Sequence, residues 1–391
     1  MTSRAPQQDP FRVVIAGGGV AALEALIALR QLAEERVTIE LLSAEPQFWY
    51  RPLAVAEPFD RRELHGLDLS TVAGEHGAVL VLGELASVDP EASVARTTAG
   101  GELEYDALLV AVGARPTEAV PGALTFRGPA DAGAIRSLLE EIESKRVRRV
   151  AFALPGTVVW PLPLYELALQ TAATGADVVV VTNEEAPLEL FGQAASRQIS
   201  ELLDSLGVEL VSSSYPVSFH DGQLVLAPDG EVAADRVVTL PRLVGPRLEG
   251  LPHDLNGFIP TDRDGRVVGA FDVFAAGDAT TFPIKQGGLA TQQADAAAES
   301  IAALAGAPLE PKPFRPVLRG VILTGRQPLF VRTALTTAAE RPVASGDALW
   351  WPPAKIAGRY LAPYLAERAD SILTPPNGPS GIAVDVALPA V

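Results

Sequence analysis

The sequence predicts an α/β fold made of two parallel-sheet βαβ units and a small C-terminal α+β domain. Three observations carry that expectation. An apolar run near the N-terminus meets three glycines and then a helix-spaced segment, in FRVVIAGGGVAALEALIALR. A second alternation of helix, strand, helix and strand begins near Pro129, after the buried strand in YDALLVAVGARP. Beyond Pro311 the composition changes to short strands and one helix.

The first unit reads in order. Val13 to Ala16 is a buried parallel strand, and Leu23, Leu26 and Leu29 mark one face of the helix that follows. Gly17, Gly18 and Gly19 lie between them, with Gly17, Gly19 and Ala22 matching G-x-G-x-x-G/A. Such a turn lets backbone approach a pyrophosphate, and the helix N-terminus supplies unpaired N–H groups and a positive dipole end. Arg36 to Ser43 is the next strand, and Glu45 just beyond it is either a ribose partner or a solvated loop charge. In FWYRPLAVAEP, Arg51 is either a fixed cation beside a flat ring or part of an aromatic loop packed on the core. Residues 78–106 form short strands with a Gly-Gly hairpin, and the strand of Tyr105 to Pro116 ends at Gly113.

The second unit begins with a helix from Pro129 to Lys145, with Asp131 as its cap. A strand over 148–156, a helix from Leu162 to Ala173 and a strand from Ala176 to Thr182 follow. Ala195 to Leu206, Val208 to Ser212 and Val217 to Leu226 complete its layers. Its turn, LPGTVVWPLPLYELAL, has only Gly156, with Pro155, Pro161 and Pro163 removing N–H donors and Trp160 adding bulk. Asn183 and Glu184 are the candidate ribose contacts there, and binding of a nicotinamide dinucleotide stays open.

The chain then returns to the first unit. The strand Val273 to Ala276 ends at Gly277-Asp278, whose carboxylate could accept from the hydroxyls of a sugar-like chain. A long Ala-rich helix lies within 282–306, with Lys285, Gly287 and Gly288 at its start. Two strands are expected in 314–335 and a loop into a helix, Ile356 to Arg368, in 348–368. Trp350 and Trp351 are read as core or interface, with a lid as the other reading. The expected domains are therefore 1–118 with 256–310, then 119–255, then 311–373, with a loose tail over 374–391.

Composition removes several classes of function. The chain has 391 residues and a formal charge of -17, which argues against nucleic acid and against electrostatic binding to anionic lipid. It has no cysteine, so disulfide exchange, thiolate nucleophiles and cysteine metal sites are excluded. The 4 histidines are scattered, and no metal site is expected. MTSRAPQQDP has no apolar core of a secretory signal, and no apolar run has the length of a spanning helix, so a cytoplasmic protein is expected.

The succession GGGVAA, LLVAVGARP, VFAAGDAT and KQGGLATQQAD resembles the FAD-dependent pyridine nucleotide–disulfide oxidoreductase superfamily over residues 11 to about 370. Within it, the chain is most similar to the branch of type II NADH dehydrogenases and sulfide:quinone oxidoreductases. The resemblance implies two Rossmann-like domains, with Gly17, Gly19 and Ala22 on the FAD pyrophosphate. It places Gly277 and Asp278 at the ribityl–phosphate part and Gly113 near the cofactor. It also brings Lys285, Gly288 and Gln292 to the isoalloxazine, where Lys285 and Gln292 would be the catalytic pair. Glu166, in YELA, matches a glutamate of the family's second helix.

The missing cysteines depart from that pattern and rule out a dithiol step. The expected activity is electron transfer through non-covalent FAD, from NAD(P)H or another reduced donor to a quinone or other small-molecule acceptor. The alternative is a non-turnover flavoprotein that senses redox state or binds a partner through residues 350–353. Peripheral membrane contact and a homo-oligomer are left open.

Overall fold

A computed structural model of the chain describes residues 10–60, 66–156, 160–325, 327–335, 343–346, 348–350 and 352–368. The expected tail over 374–391, Trp351 and the middle of the second turn lie outside the described residues.

Strands Phe11–Ala16, Val37–Ser43, Ala78–Leu82, Ala107–Val110 and Val273–Ala275 form one parallel sheet. Phe11–Ala16 lies at its centre, between Ala107–Val110 and Val37–Ser43. Its run of Val13, Val14, Ile15 and Ala16 is buried, as continuous apolar strands of parallel sheets are. The helix Val20–Ala33 packs along the helix Gly287–Leu304 through small buried residues, Ala21, Ala25 and Ala28 against Ala290, Ala294 and Ala298. These side chains let two backbones approach closely, so the glycine turn and the start of the late helix share one end of the sheet.

The second parallel sheet runs Leu124–Thr125, Arg236–Thr239, Arg149–Ala153, Asp177–Val181 and Glu209–Val211 in space. The run from Val217 to Leu226 forms a hairpin, Tyr215–His220 with Gln223–Ala227. Asp221 (φ +51°) and Gly222 (φ +76°) turn it, the left-handed pair that tight hairpins use. Asp131 does not cap its helix by side chain; it accepts instead from the Arg127 N–H at 2.8 Å. The two chain crossings between the units, Arg115–Thr117 and Arg242–Val244, pair antiparallel and lie side by side.

The C-terminal part is a three-stranded antiparallel sheet, Val317–Ile322, Leu329–Ala334 and Val343–Ser345, with the helix Leu361–Arg368. That helix starts later than the expected Ile356 because the preceding backbone is tied down elsewhere. The Ile356 N–H donates to Tyr50 Oη at 2.9 Å, and the Tyr360 and Leu361 N–H groups donate to the two oxygens of buried Glu24, each at 2.8 Å. A carboxylate at the helix start also meets the positive end of its dipole. Gly358 makes the contact feasible, since a Cβ there would lie 2.4 Å from Glu24 Oε2. Trp350 faces inward: its Nε1–H donates to Ala354 O at 2.9 Å and its ring packs edge-on against Phe330. Among the described residues, no helix is long and apolar enough to cross a membrane, and no cluster of three metal-binding side chains occurs.

Candidate functional site

The first glycine turn is built by backbone constraint. The Gly17 N–H donates to Leu42 O at 2.7 Å, and Gly17 adopts φ +135°. A Cβ on it would lie 2.2 Å from Ala111 O, so no other residue fits. Gly18 packs with equal tightness on Ser43 Oγ, 2.3 Å from where its Cβ would be. Gly19 differs, because nothing lies within 4 Å of its added Cβ. That open side faces a cavity of about 890 Å³, and Gly19 caps the helix Val20–Ala33 without a side-chain bond. The helix therefore presents N–H groups and its positive dipole end to the cavity.

The same cavity gathers most of the residues expected from sequence. Gly17, Gly18, Gly19, Glu45, Arg51 and Gly113 line it from the first half of the chain. Gly277, Asp278 and Lys285 line it from the return segment. Burial pushes the Asp278 carboxyl up, while the charges of Lys285 and Arg51 pull it back down. Burial lowers Lys285 to about 8, against the opposing pull of Asp278 and Asp254. Its Nζ donates to Thr280 O and sits 3.9 Å over the Phe258 ring.

Three expected residues stand back from the cavity lining. Ala22 is wholly buried and packs the helix on the strand, which is the role of that small position. Gly288 lies behind the Gln286 amide, 3.1 Å from where its Cβ would be. Gln292, expected at the isoalloxazine, is not among the cavity-lining residues. Its Nε2 donates to Gly288 O at 2.7 Å and Val317 O at 2.9 Å, and its Oε1 accepts from the Val317 N–H. Both ends of the amide thus clamp the C-terminal sheet to the helix. Six residues earlier, Gln286 lines the cavity and caps the helix by accepting from the Leu289 N–H at 2.8 Å.

The opposite wall is formed by Trp160, Leu162, Glu166, Val321 and Lys355. Lys355 Nζ lies 2.6 Å from Glu166 Oε1 and also donates to Pro52 O at 3.0 Å. Glu166 Oε1 accepts from the Leu323 N–H at 2.8 Å as well. Burial pushes the Glu166 carboxyl up and the Lys355 ammonium down, and each partner's charge opposes that shift. Lys355 was not singled out from sequence. Its one signal is a lone charge inside the apolar stretch ALWWPPAKIAG, which does not name a partner.

Known proteins agree with this geometry. The family model described as pyridine nucleotide-disulphide oxidoreductase matches residues 11–299. The chain belongs to that family. It is an FAD-dependent oxidoreductase, and its glycine turn, open helix end and cavity fit the cofactor. This oxidoreductase is similar in fold to the sulfide:quinone oxidoreductase of Aquifex aeolicus, with TM-score 0.79, 20% identity and 86% of each chain covered. It is also similar to a ferredoxin reductase of Rhodopseudomonas palustris, with TM-score 0.66, 20% identity and 83% of each chain covered. A NAD-dependent persulfide reductase of A. fulgidus has TM-score 0.65 and 18% identity over 84% of this chain and 64% of that one.

Proposed function

We propose that this oxidoreductase takes electrons from a reduced donor and delivers them to a quinone or another small acceptor, with no dithiol step. The observation that carries the reading is the continuity of the cavity. The dinucleotide turn and the Asp278–Lys285 wall share one space with an apolar wall that holds a buried acid–base pair. The complete lack of cysteine supports the absence of a thiol relay.

When bound, FAD supplies the electron chemistry. The chain's own residues set its surroundings. The open N–H groups beyond Gly19 would bind the pyrophosphate, and Asp278 would accept from hydroxyls of the chain between phosphate and ring. Lys285 and the N-terminus of the helix Gly287–Leu304 favour negative charge on that side of the cavity. Trp160, Leu162 and Val321 exclude water from the other side. There Lys355 Nζ and Glu166 Oε hold a proton between them that an acceptor gaining electrons needs.

The test uses the FAD-loaded protein, reduced anaerobically with dithionite, freed of excess and mixed with a water-soluble benzoquinone. Return of the flavin's visible band at an enzymatic rate, on the order of 1–10³ s⁻¹, is expected. A band that quinones and dyes alike fail to restore would retire the proposal in favour of a non-turnover flavoprotein.

A further inference from the structure

We infer that the second βαβ unit holds no nicotinamide dinucleotide, and that it serves instead as the wall that brings Trp160 and Glu166 to the cavity. The importance of that wall rests on the function proposed above; the closure of the second nucleotide site does not.

Sheet register allows the two units to be compared residue by residue. Ala153 pairs with Val181 as Ala16 pairs with Leu42. The next N–H closes the turn in each unit: Leu154 donates to Val181 O at 2.8 Å, as Gly17 donates to Leu42 O at 2.7 Å. Leu154 therefore occupies the place of Gly17, Pro155 that of Gly18, and Glu184 that of Glu45.

Each equivalence removes a nucleotide contact. Leu154 is buried and lacks the positive φ of Gly17, so the backbone leaves the strand without the left-handed bend of the first turn. Pro155, Pro161 and Pro163 offer no N–H, and the Leu164 N–H in the first turn of the helix Leu162–Ala172 is bonded to Pro161 O. Glu45 is exposed at its cavity, whereas Glu184 is 7% exposed and already satisfied. It accepts from Tyr165 Oη at 2.7 Å and from Thr182 Oγ1 at 3.1 Å.

The chain itself also covers the crevice. Dinucleotides bind beyond the carboxyl ends of parallel strands. Here the Ser214 N–H donates to Thr182 O and the Ser213 N–H to Glu184 O, both at 2.9 Å, which holds this backbone beside the exit of the strand Asp177–Val181 and positions the residue that follows. The Tyr215 ring that follows rests on Gly156, where a Cβ would meet its Cδ1 at 2.6 Å.

Calorimetric titration of the FAD-loaded protein with NADH and with NADPH tests the inference, alongside anaerobic mixing with each. We expect no saturable heat up to about 1 mM, the range in which binding is worth only about 4 kcal/mol. We also expect no loss of the flavin's visible band with either nucleotide, although dithionite abolishes it. Saturable binding of either nucleotide, or a bleaching rate that saturates with its concentration, overturns the inference. The dithionite control separates the two proposals: a flavin it cannot reduce counts against the proposed function, while the heats still report on the second site.

Discussion

Lys355 Nζ and Glu166 Oε1 lie 2.6 Å apart with side chains 5% and 1% exposed, so an ion pair closes the cavity wall almost wholly out of water. It joins the C-terminal segment to the second unit. Removing one partner leaves an uncompensated buried charge, which costs about 3–5 kcal/mol. Lys355→Met should lower the melting temperature strongly, and Lys355→Met with Glu166→Leu should recover most of the loss. Thermal unfolding of the two single variants and the double variant gives the coupling. Additive losses would mean that the two side chains act separately.

Gly17 and Gly19 should respond differently to alanine. Gly17→Ala meets Ala111 O and needs a positive φ, so folding of the first unit should suffer. Gly19→Ala meets no protein atom and has ordinary extended backbone at φ -96° and ψ -168°. It should fold normally yet bind FAD about tenfold or more weakly, since its methyl projects where backbone meets pyrophosphate. Circular dichroism of the FAD-free variants and fluorescence titration with FAD separate the two effects.

Lys285 should set the potential of the site. Its charge sits on the cavity wall and is lost as pH rises through about 8. Lys285→Met should move the flavin midpoint potential to more negative values by a few tens of millivolts, 30 mV corresponding to about 1.4 kcal/mol for two electrons. The difference from the unmodified protein should shrink above that pH. A constant difference at all pH values would assign the effect to shape rather than charge.

Asp295 carries the clearest pH dependence of stability. Burial, reinforced by the charge of Glu24, raises its carboxyl to about 9. Glu24 is also pushed up by burial. Unfolded, Asp295 releases its proton near pH ~3.9. Between those values the folded chain binds the extra proton, so this group's contribution falls as pH rises from about 4 to about 9 and then levels off. Asp295→Asn needs no proton. Its melting temperature relative to the unmodified protein should climb across that window, as thermal scans at about pH 5, 7 and 9 would show.

Gln292→Ala separates a structural role of that residue from one at the cofactor. It removes hydrogen bonds to Gly288 and Val317 and leaves the Val317 N–H and carbonyl without this partner. A loss of about 1–3 kcal/mol in stability is expected, with the flavin spectrum and potential unchanged. A shifted potential would return Gln292 to the cofactor.

The sequence made local chemistry legible and long-range pairing illegible. Gly17 to Gly19 could be read because a turn between a buried strand and a helix has few solutions. Gly277-Asp278 could be read because the same type of strand end recurs. Gln292 bonds to a sheet whose position no periodicity reveals, while Gln286, which caps the helix, lines the cavity. Lys355 was unreadable as a site residue because its partner lies 189 positions away. Glu184 could be placed at a strand end, but not its capture by Tyr165. In the run from Val217 to Leu226, Asp221-Gly222 is the local signal of the hairpin turn.

Fluorescence titration of the FAD-free protein with FAD is the most direct test of the account. Saturation at one FAD per chain, with the flavin set free by denaturation, is the result expected from a non-covalent site in the cavity behind Gly19. Failure to take up FAD, or uptake unaffected by Gly19→Ala, would contradict it.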